Sequence, residues 1–492
     1  MNFSIIRYII GMLLKTESVL LMLPCIVSLI YRDSCGIYYL GVAAFCALSG
    51  FLLNLSKPKS NVFYLKEGCV ATALSWITLS FFGALPFRLS GEIPSYVDAL
   101  FETVSGFTTT GASILNDVEA LSHTALFWRS FTHWTGGMGV LVFILAILPM
   151  TGASDMNLMK AESPGPSVGK LVPKIKQTAR ILYIIYFGMT LLEIILLIAG
   201  RMPVFDSVCL SFGTAGTGGF GILNSSVGEY SAYCQWVISI FMILFGINFN
   251  FYYFLLYRQL KKAFTMEEVK HYLCIIAVAI IIISCNIADR FGSIFTAIRH
   301  SCFQVGSIIT TTGFSTVDFD MWPSLSKGVL VLLMFIGACA GSTGGGIKVS
   351  RIMIMVKSMF IELTTYIHPK SVKKLKMDGK SVDSDTIRSV HVYFTTFMII
   401  FTASIFAVSF EGHDLVTNFT AIAATINNIG PGLNLVGPAR NFSFWSKPSK
   451  LVMIFDMLAG RLELFPMLII FHPTVIKGFF TGIFASKKTE QQ

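Results

Sequence analysis

The sequence predicts an all-α polytopic membrane protein. Four pseudo-symmetric repeats of span, pore helix and span surround one central pore, preceded by two extra transmembrane helices. Three observations predict it. Of 492 residues, 54% are hydrophobic and 13% charged, with 43 Phe, whereas a soluble chain of this length needs far more charge to cover its surface. Apolar stretches near the roughly 20 residues that cross a hydrocarbon core recur along the chain. Between pairs of these stretches a short motif occurs four times, as Thr109-Thr110-Gly111, Thr217-Gly218-Gly219, Thr311-Thr312-Gly313 and Asn428-Ile429-Gly430.

In chain order, spans are predicted at 17–31, 37–54, 69–87, 125–149, 177–199, 234–257, 271–288, 328–356 (interrupted), 389–410 and 450–472. The stretch before residue 17 is predicted to be a retained amphipathic lead-in rather than a cleaved signal, because no small-residue cleavage site follows its apolar core. Residues 1–68 hold the N-terminal helix pair. Residues 69–160, 161–265, 266–375 and 376–492 form the four repeats.

An even number of spans places both termini on one side, and the basic residues assign that side to the cytoplasm. They are Lys57, Lys59 and Lys66; Lys170, Lys174, Lys176 and Arg180; Arg258, Lys261 and Lys262; and the connector at 357–388 with Lys370, Lys373, Lys374 and Lys376. The opposite loops carry Glu92, Asp98, Asp117, Glu119, Asp206 and Asp414, predicting an acidic mouth that concentrates cations. The formal charge of +10 is accounted for by these clusters, so nucleic acid is not a partner. Ten cysteines stand singly without a CxxC pair, which points to neither a disulfide framework nor a zinc site.

Thirteen residues before the last glycine of each motif lie Asp98, Asp206, His300 and Thr417, each opening an apolar run too short to span. A half-entering helix followed by a Gly/Thr stretch is how a pore presents carbonyl oxygens to a dehydrated cation. Glycine permits the required dihedrals, and each helix aims its partially negative C-terminal end at the ion. Asp98 and Asp206 are expected as N-caps.

Two phosphate-loop look-alikes fail on context. Gly216-Thr217-Gly218-Gly219-Phe220-Gly221 matches GxGxxG without a βαβ setting, and the run from Gly341 to Lys348 has its lysine displaced and lies at membrane depth. That second run, Gly341, Ser342, Thr343, Gly344, Gly345 and Gly346, cannot sustain a helix. Irregular backbone at this depth persists only against protein or a watery cavity, so the run is expected to form a mobile gate below the motifs. The alternative is a close-packed glycine patch between helices. Arg461 lies too deep in the last span to snorkel and is assigned to the same gate, with Glu463 and Asp456 as candidate ion-pair partners. His133, Trp134 and Glu193 are assigned to packing or helix–helix polar contacts.

The stretches KEGCVATALSWITLSFFGALPF, ETVSGFTTTGAS, WRSFTHWTGGMGV, GTAGTGGFG, GSTGGGIKVSR, NNIGPG and GRLELFPML resemble the Trk/Ktr/HKT superfamily of potassium transporters, most closely its members with two additional N-terminal spans. This resemblance implies potassium as the transported ion, with no organic cofactor on the chain. It also implies a homodimer in a bacterial inner membrane and a cytoplasmic TrkA-like regulatory subunit that binds nucleotide. It carries the filter role to the four motifs and the gate role to Gly341–Gly346 and Arg461. Plant relatives that pass sodium have serine at the first filter glycine; Gly111 here favours potassium. Two other classes stand beside a gated pore. A sodium- or proton-coupled symporter lacks an evident coupling-ion site, and a membrane-embedded enzyme lacks any clustered acid–base or metal set, with only eight scattered His.

Overall fold

A computed structural model describes residues 2–56, 58, 64–139, 175–370 and 373–477. Lys57, Lys59, Lys170 and Lys174, and the predicted span beyond residue 139, lie outside the described residues. The chain opens with α1 (Phe3–Tyr31) and α2 (Gly36–Leu53). They pack antiparallel: Gly11 faces Asn54 at one end and Gly36 faces Ser28 at the other. The lead-in is not separate from the first span. No proline precedes Pro24, so α1 runs unbroken from Phe3.

The same order of elements then occurs four times: a long helix, a short helix, a glycine segment and a second helix. The first set is α3 (Leu65–Gly83) with its short extension α4 (Leu85–Ser90), then α5 (Tyr96–Phe107) and α6 (His123–Gly137). The second is α7 (Ile175–Ala199), α8 (Val204–Gly216) and α9 (Ala232–Phe245), followed by α10 (Phe249–Leu256) and α11 (Leu260–Thr265). The third is α12 (Glu267–Ile287), α13 (Ile294–Ile309) and α14 (Ser324–Ile336), followed by α15 (Val349–Ile367). The fourth is α16 (Ser384–Ser409), α17 (Leu415–Ile426) and α18 (Lys447–Arg461), followed by α19 (Phe465–Ile470). In the connector before α16, β1 (Lys376–Met377) pairs antiparallel with β2 (Lys380–Ser381), the one sheet among the described residues.

Six described helices are long and apolar enough to cross a membrane, or seven if α9 and α10 count as one span. The sequence predicted ten. The two differ at the second helices: those of the second, third and fourth sets break midway, and the predicted span of the first set lies partly outside the described residues. The predicted 234–257 span bends by 92° between α9 and α10, where Asn248 starts a new helix by accepting from the Asn250 amide at 2.9 Å. The predicted 450–472 span stops at Arg461, with Glu463 and Leu464 both at positive φ. Pro466 explains this stop: it has no N–H for the Leu462 carbonyl, and its ring would strike that carbonyl in a continuous helix. The break after α14 is the one the glycine run predicted.

Burial separates the two helix types. The long helices α1, α2, α7 and α16 leave large apolar side chains such as Leu29, Leu48, Phe187 and Phe406 exposed, as lipid-facing helices do. The short helices are enclosed; α13 buries every residue from His300 to Ile309. Each short helix packs between the second helix of its own set and that of the preceding set. α8 lies against α9 and α6, α13 against α14 and α9, α17 against α18 and α14, and α5 against α6 and α18. The last pair closes the circuit.

Candidate functional site: four glycine segments and the loop beneath them

All four short helices end in one way. The first residue of each motif is left-handed, with φ of 56° at Thr109, 56° at Thr217, 60° at Thr311 and 56° at Asn428. The second residue sends its amide back five residues, Thr110 to Ser105, Gly218 to Gly213, Thr312 to Ser307 and Ile429 to Ala424, each at 2.8 Å. This is the six-to-one bond of a Schellman termination. Asparagine tolerates the left-handed region, but threonine is β-branched and strained there, at a cost of order 1–3 kcal/mol for each residue.

The last glycines are also left-handed, with φ of 79°, 78°, 89° and 98° at Gly111, Gly219, Gly313 and Gly430. Each backs onto a carbonyl of the next segment. A Cβ on Gly111 would run into the Gly218 oxygen, one on Gly219 into Thr312, one on Gly313 into Ile429, and one on Gly430 would lie 2.8 Å from Thr110. Backbone approach this close excludes a side chain. The twelve motif residues therefore meet in one closed ring, with the fourth segment returning to the first. Asn428 reinforces that closure by donating to the Thr110 hydroxyl and the Met457 carbonyl, both at 2.9 Å.

Behind the first two segments lies a polar cluster that sequence reading did not single out. Glu102 is buried and accepts from Ser113 Oγ at 2.9 Å, the Ile114 amide at 2.9 Å and Arg129 Nε at 2.6 Å. Arg129 also donates to the Gly221 carbonyl at 2.7 Å and lies over the Phe220 ring at 3.7 Å. His133, assigned from sequence to helix contacts, does more than pack. Its Nδ1 is 2.9 Å from the Gly106 carbonyl and its Nε2 accepts from the Phe220 amide at 3.3 Å. Trp134 makes the expected interhelical contact, donating to Thr190 at 3.2 Å.

Over the glycines opens a cavity of about 180 Å³ lined by Ser113, Asn116, Asn224, Ser315, Arg129 and Arg440 among others. The acidic mouth predicted from sequence does not line it. Asp98 accepts from Lys450 at 2.6 Å, while Asp117 and Glu119 each hold Asn224 at 2.9 Å. Nor are Asp98 and Asp206 N-caps: Ser95 and Pro203 hold those positions, and the two aspartates lie in the first turn, where a negative charge still favours the helix dipole. Asp414 does cap α17, and the hydrogen bond from the Thr417 hydroxyl, against a slight desolvation, holds its carboxyl below the ordinary aspartate range.

Beneath the ring lies the glycine run. Gly337, Gly341 and Gly346 are left-handed, and no helix crosses 337–348. The Gly345 amide donates to the Thr311 hydroxyl at 2.6 Å and the Gly346 amide to the Asn427 carbonyl at 3.0 Å, so the run abuts the third and fourth segments. Its first half is tied to the α9–α10 bend, Cys339 to Gly246 at 3.1 Å and Phe249 to Gly341 at 2.9 Å. Two cations grip adjacent carbonyls: Lys348 holds Gly344, and Arg461 holds Thr343 at 2.9 Å. Arg461 also reaches Gly136 at 2.6 Å and Gly137 at 2.7 Å. The carboxylates named as its candidate partners are engaged elsewhere, Glu463 with Arg351 and Asp456 with Ser404 at 2.8 Å. Lys348 was legible only as a failed phosphate-loop lysine.

Residues 38–478 match the TrkH family, described as a cation transport protein. The chain is 36% identical over 484 residues to the Trk system potassium uptake protein TrkH of Salmonella typhimurium, spanning 96% of this chain and 99% of that protein. It is 31% identical over 486 residues to the Trk system potassium uptake protein TrkG of Escherichia coli, spanning 97% and 98%. The crystal structure of the potassium transporter TrkH from Vibrio parahaemolyticus matches with a TM-score of 0.86 at 31% identity, covering 96% of this chain and 100% of that one. A multi-pass helical chain with this ring at its centre, similar from end to end to these proteins, belongs to the TrkH family of cation transport proteins.

Proposed function

We propose that this chain carries potassium into a bacterial cell across the cytoplasmic membrane, with the four glycine segments as a selectivity filter and Gly341–Gly346 as a gate. The closed ring of backbone contacts from Gly111 round to Thr110 carries the reading. A dehydrated cation needs several carbonyl dipoles at one level to replace its water, and four pseudo-symmetric repeats supply them without another chain. Buried polar atoms at the inner edge suit the same ligand. Thr109 Oγ1 and Asn428 Oδ1, at the first motif position, are enclosed and without a protein partner among the described residues. The relatives' names, potassium uptake proteins of Trk systems, agree with the ion.

The gate role rests on the run's place directly under Thr311 and Asn427, and on two cations that occupy carbonyls a passing ion could otherwise use. A homodimer and a TrkA-like nucleotide-binding subunit on the cytoplasmic side, where both termini lie, complete the assembly. Purified protein in liposomes tests the core of this reading. Uptake of a rubidium tracer should be competed by potassium and hardly by sodium, and should follow the potassium gradient alone. Equal competition by sodium would refute the filter. Uphill uptake driven by a sodium or proton gradient would reassign the chain as a symporter.

A further inference from the structure

We infer that Glu268 is a positioning residue for the glycine run, and that the β1–β2 hairpin holds Glu268 in place from outside the membrane. The inference rests on the gate reading above. Glu268 is the second residue of α12, is buried, and lies 72 residues from the run in sequence. One of its carboxylate oxygens, Oε1, accepts from the Ala340 amide at 2.7 Å and from the Ser350 amide at 3.1 Å. These amides flank Gly341–Gly346 on either side, so a single oxygen closes the run at its base. Amide–carboxylate bonds are charge-assisted and among the stronger ones a loop can make.

The first turn of α12 is in turn held from the hairpin. Its own N-cap, Met266, makes no side-chain cap hydrogen bond. Asp378 supplies one across 111 residues, its Oδ1 accepting from the Glu267 amide at 2.7 Å. Asp378 and Gly379 have φ of 50° and 75°, the pair of left-handed residues that makes a tight two-residue hairpin turn, so the carboxylate is presented rigidly. Lys357, on the helix that leaves the run, completes the junction. Its Nζ donates to Glu267 Oε2 at 2.5 Å and to the Lys376 carbonyl at 2.9 Å. Leu375, Ile354 and Val390 pack beneath it. Direct bonds thus run from the hairpin through Glu267 and Glu268 to both shoulders of the run.

Cys339 offers a readout besides flux. It lies two residues before the run, beside the Ala340 amide that Glu268 holds, and is fully buried, so a water-soluble maleimide should label it only when the run loosens. In the full-length protein in liposomes, with labelling assigned by mass spectrometry, Glu268→Ala should raise Cys339 labelling and basal rubidium uptake, each about tenfold, as loss of a charge-assisted bond allows. Glu268→Gln keeps an acceptor oxygen but not the charge, and should lie between wild type and Glu268→Ala. Asp378→Ala should raise both readouts by a smaller factor, and Asp378→Asn, which still caps, should not. Should Glu268→Ala fail to assemble, the Asp378 pair carries the test alone. A folded Glu268→Ala protein with Cys339 unlabelled and uptake unchanged overturns the inference, while a run deletion that raises uptake in the same assay leaves the gate standing. Labelling that rises without uptake overturns the gate reading, and this inference with it.

Discussion

Arg461 donates to the Thr343 carbonyl at 2.9 Å, which ties the broken end of α18 to the middle of the glycine run. The same guanidinium reaches Gly136 and Gly137, where α6 ends. One side chain therefore joins the ends of α6 and α18 to the run that follows α14, and the gate proposed above would place it on the route of an ion leaving the ring.

Replacing Arg461 should open that route. Arg461→Ala removes both the tie and a positive charge facing the ion. At an effective dielectric of about 20, like charges about 6 Å apart repel by roughly 3 kcal/mol before screening, and about 1.4 kcal/mol is a tenfold change in rate. Basal rubidium uptake should rise about tenfold or more. Arg461→Lys should rise less, since it keeps the charge but lacks the fork that spans three carbonyls. Uptake at or below wild type in a correctly assembled Arg461→Ala protein would count against the gate.

If Gly341–Gly346 is the gate proposed above, deleting it should act in the same direction and further, because the deletion removes the gate as well as its tie. The close-packing alternative predicts the opposite, a protein that loses assembly without leaking. Size-exclusion behaviour in detergent, measured beside rubidium uptake, separates the two.

The parts legible in the sequence were those fixed by short-range rules. Glycine at 111, 219, 313 and 430, a polar residue thirteen before it and apolar runs on either side mark the segments, because only backbone chemistry is at stake there. The glycine run was legible for the same reason. The supports were not. Glu102 and Arg129 are an ordinary acid and base 27 residues apart until folding buries them together, and Glu268 meets Ala340 only across 72 residues. The partner of Arg461 was misjudged because sequence proximity favoured Glu463 and Asp456. At membrane depth the unpaired carbonyls of a broken helix serve a guanidinium as well as a carboxylate does. The break itself follows from Pro466, which apolar length alone does not register.

Gly313→Ser tests the ring at its third segment. A Cβ there would meet the Ile429 oxygen and lie 3.0 Å from Pro431 Cδ, at a φ of 89° that a side chain resists. The segment must shift, which unsettles the level of the neighbouring carbonyls. The ratio of potassium to sodium uptake should fall, with a stability loss of about 1–3 kcal/mol from the strained backbone. An unchanged ratio would remove Gly313 from the filter.

The Glu102–Arg129 pair should matter to stability more than to ion choice. Both side chains are almost wholly buried, at 0% and 3% exposure, so truncating one leaves the other charge stranded, a cost of about 3–5 kcal/mol. Glu102→Ala should lower the melting midpoint in detergent sharply. The double variant Glu102→Leu/Arg129→Met should recover part of the loss, because neither charge is then left unpaired. A double variant as unstable as the two single changes combined would show that the pair is not a coupled unit.

Asp414 gives a prediction with a definite pH sign. Its Oδ1 accepts from the Thr417 amide at 2.9 Å and from Asn434 at 2.9 Å, and its Oδ2 from the Thr417 hydroxyl at 2.5 Å. These bonds, the Thr417 hydroxyl first, favour the ionised carboxyl and lower its pKa in the folded protein, whereas in the unfolded chain it titrates near the ordinary aspartate value of about 3.9. A depressed folded pKa contributes stability that is fully present above the unfolded value and is lost as pH falls through the folded one. Asp414→Ala should therefore melt below wild type at about pH 7, and the gap should narrow as the buffer is taken from about pH 4 down through the lowered folded value, as the wild-type cap becomes protonated. Asp414→Asn still offers an oxygen to the Thr417 amide, so it should lie between the two and vary less with pH. The comparison needs only melting midpoints of three detergent-purified proteins across that range. A gap between wild type and Asp414→Ala that stays constant down to about pH 3 would show that the carboxyl charge plays no part in capping the fourth short helix.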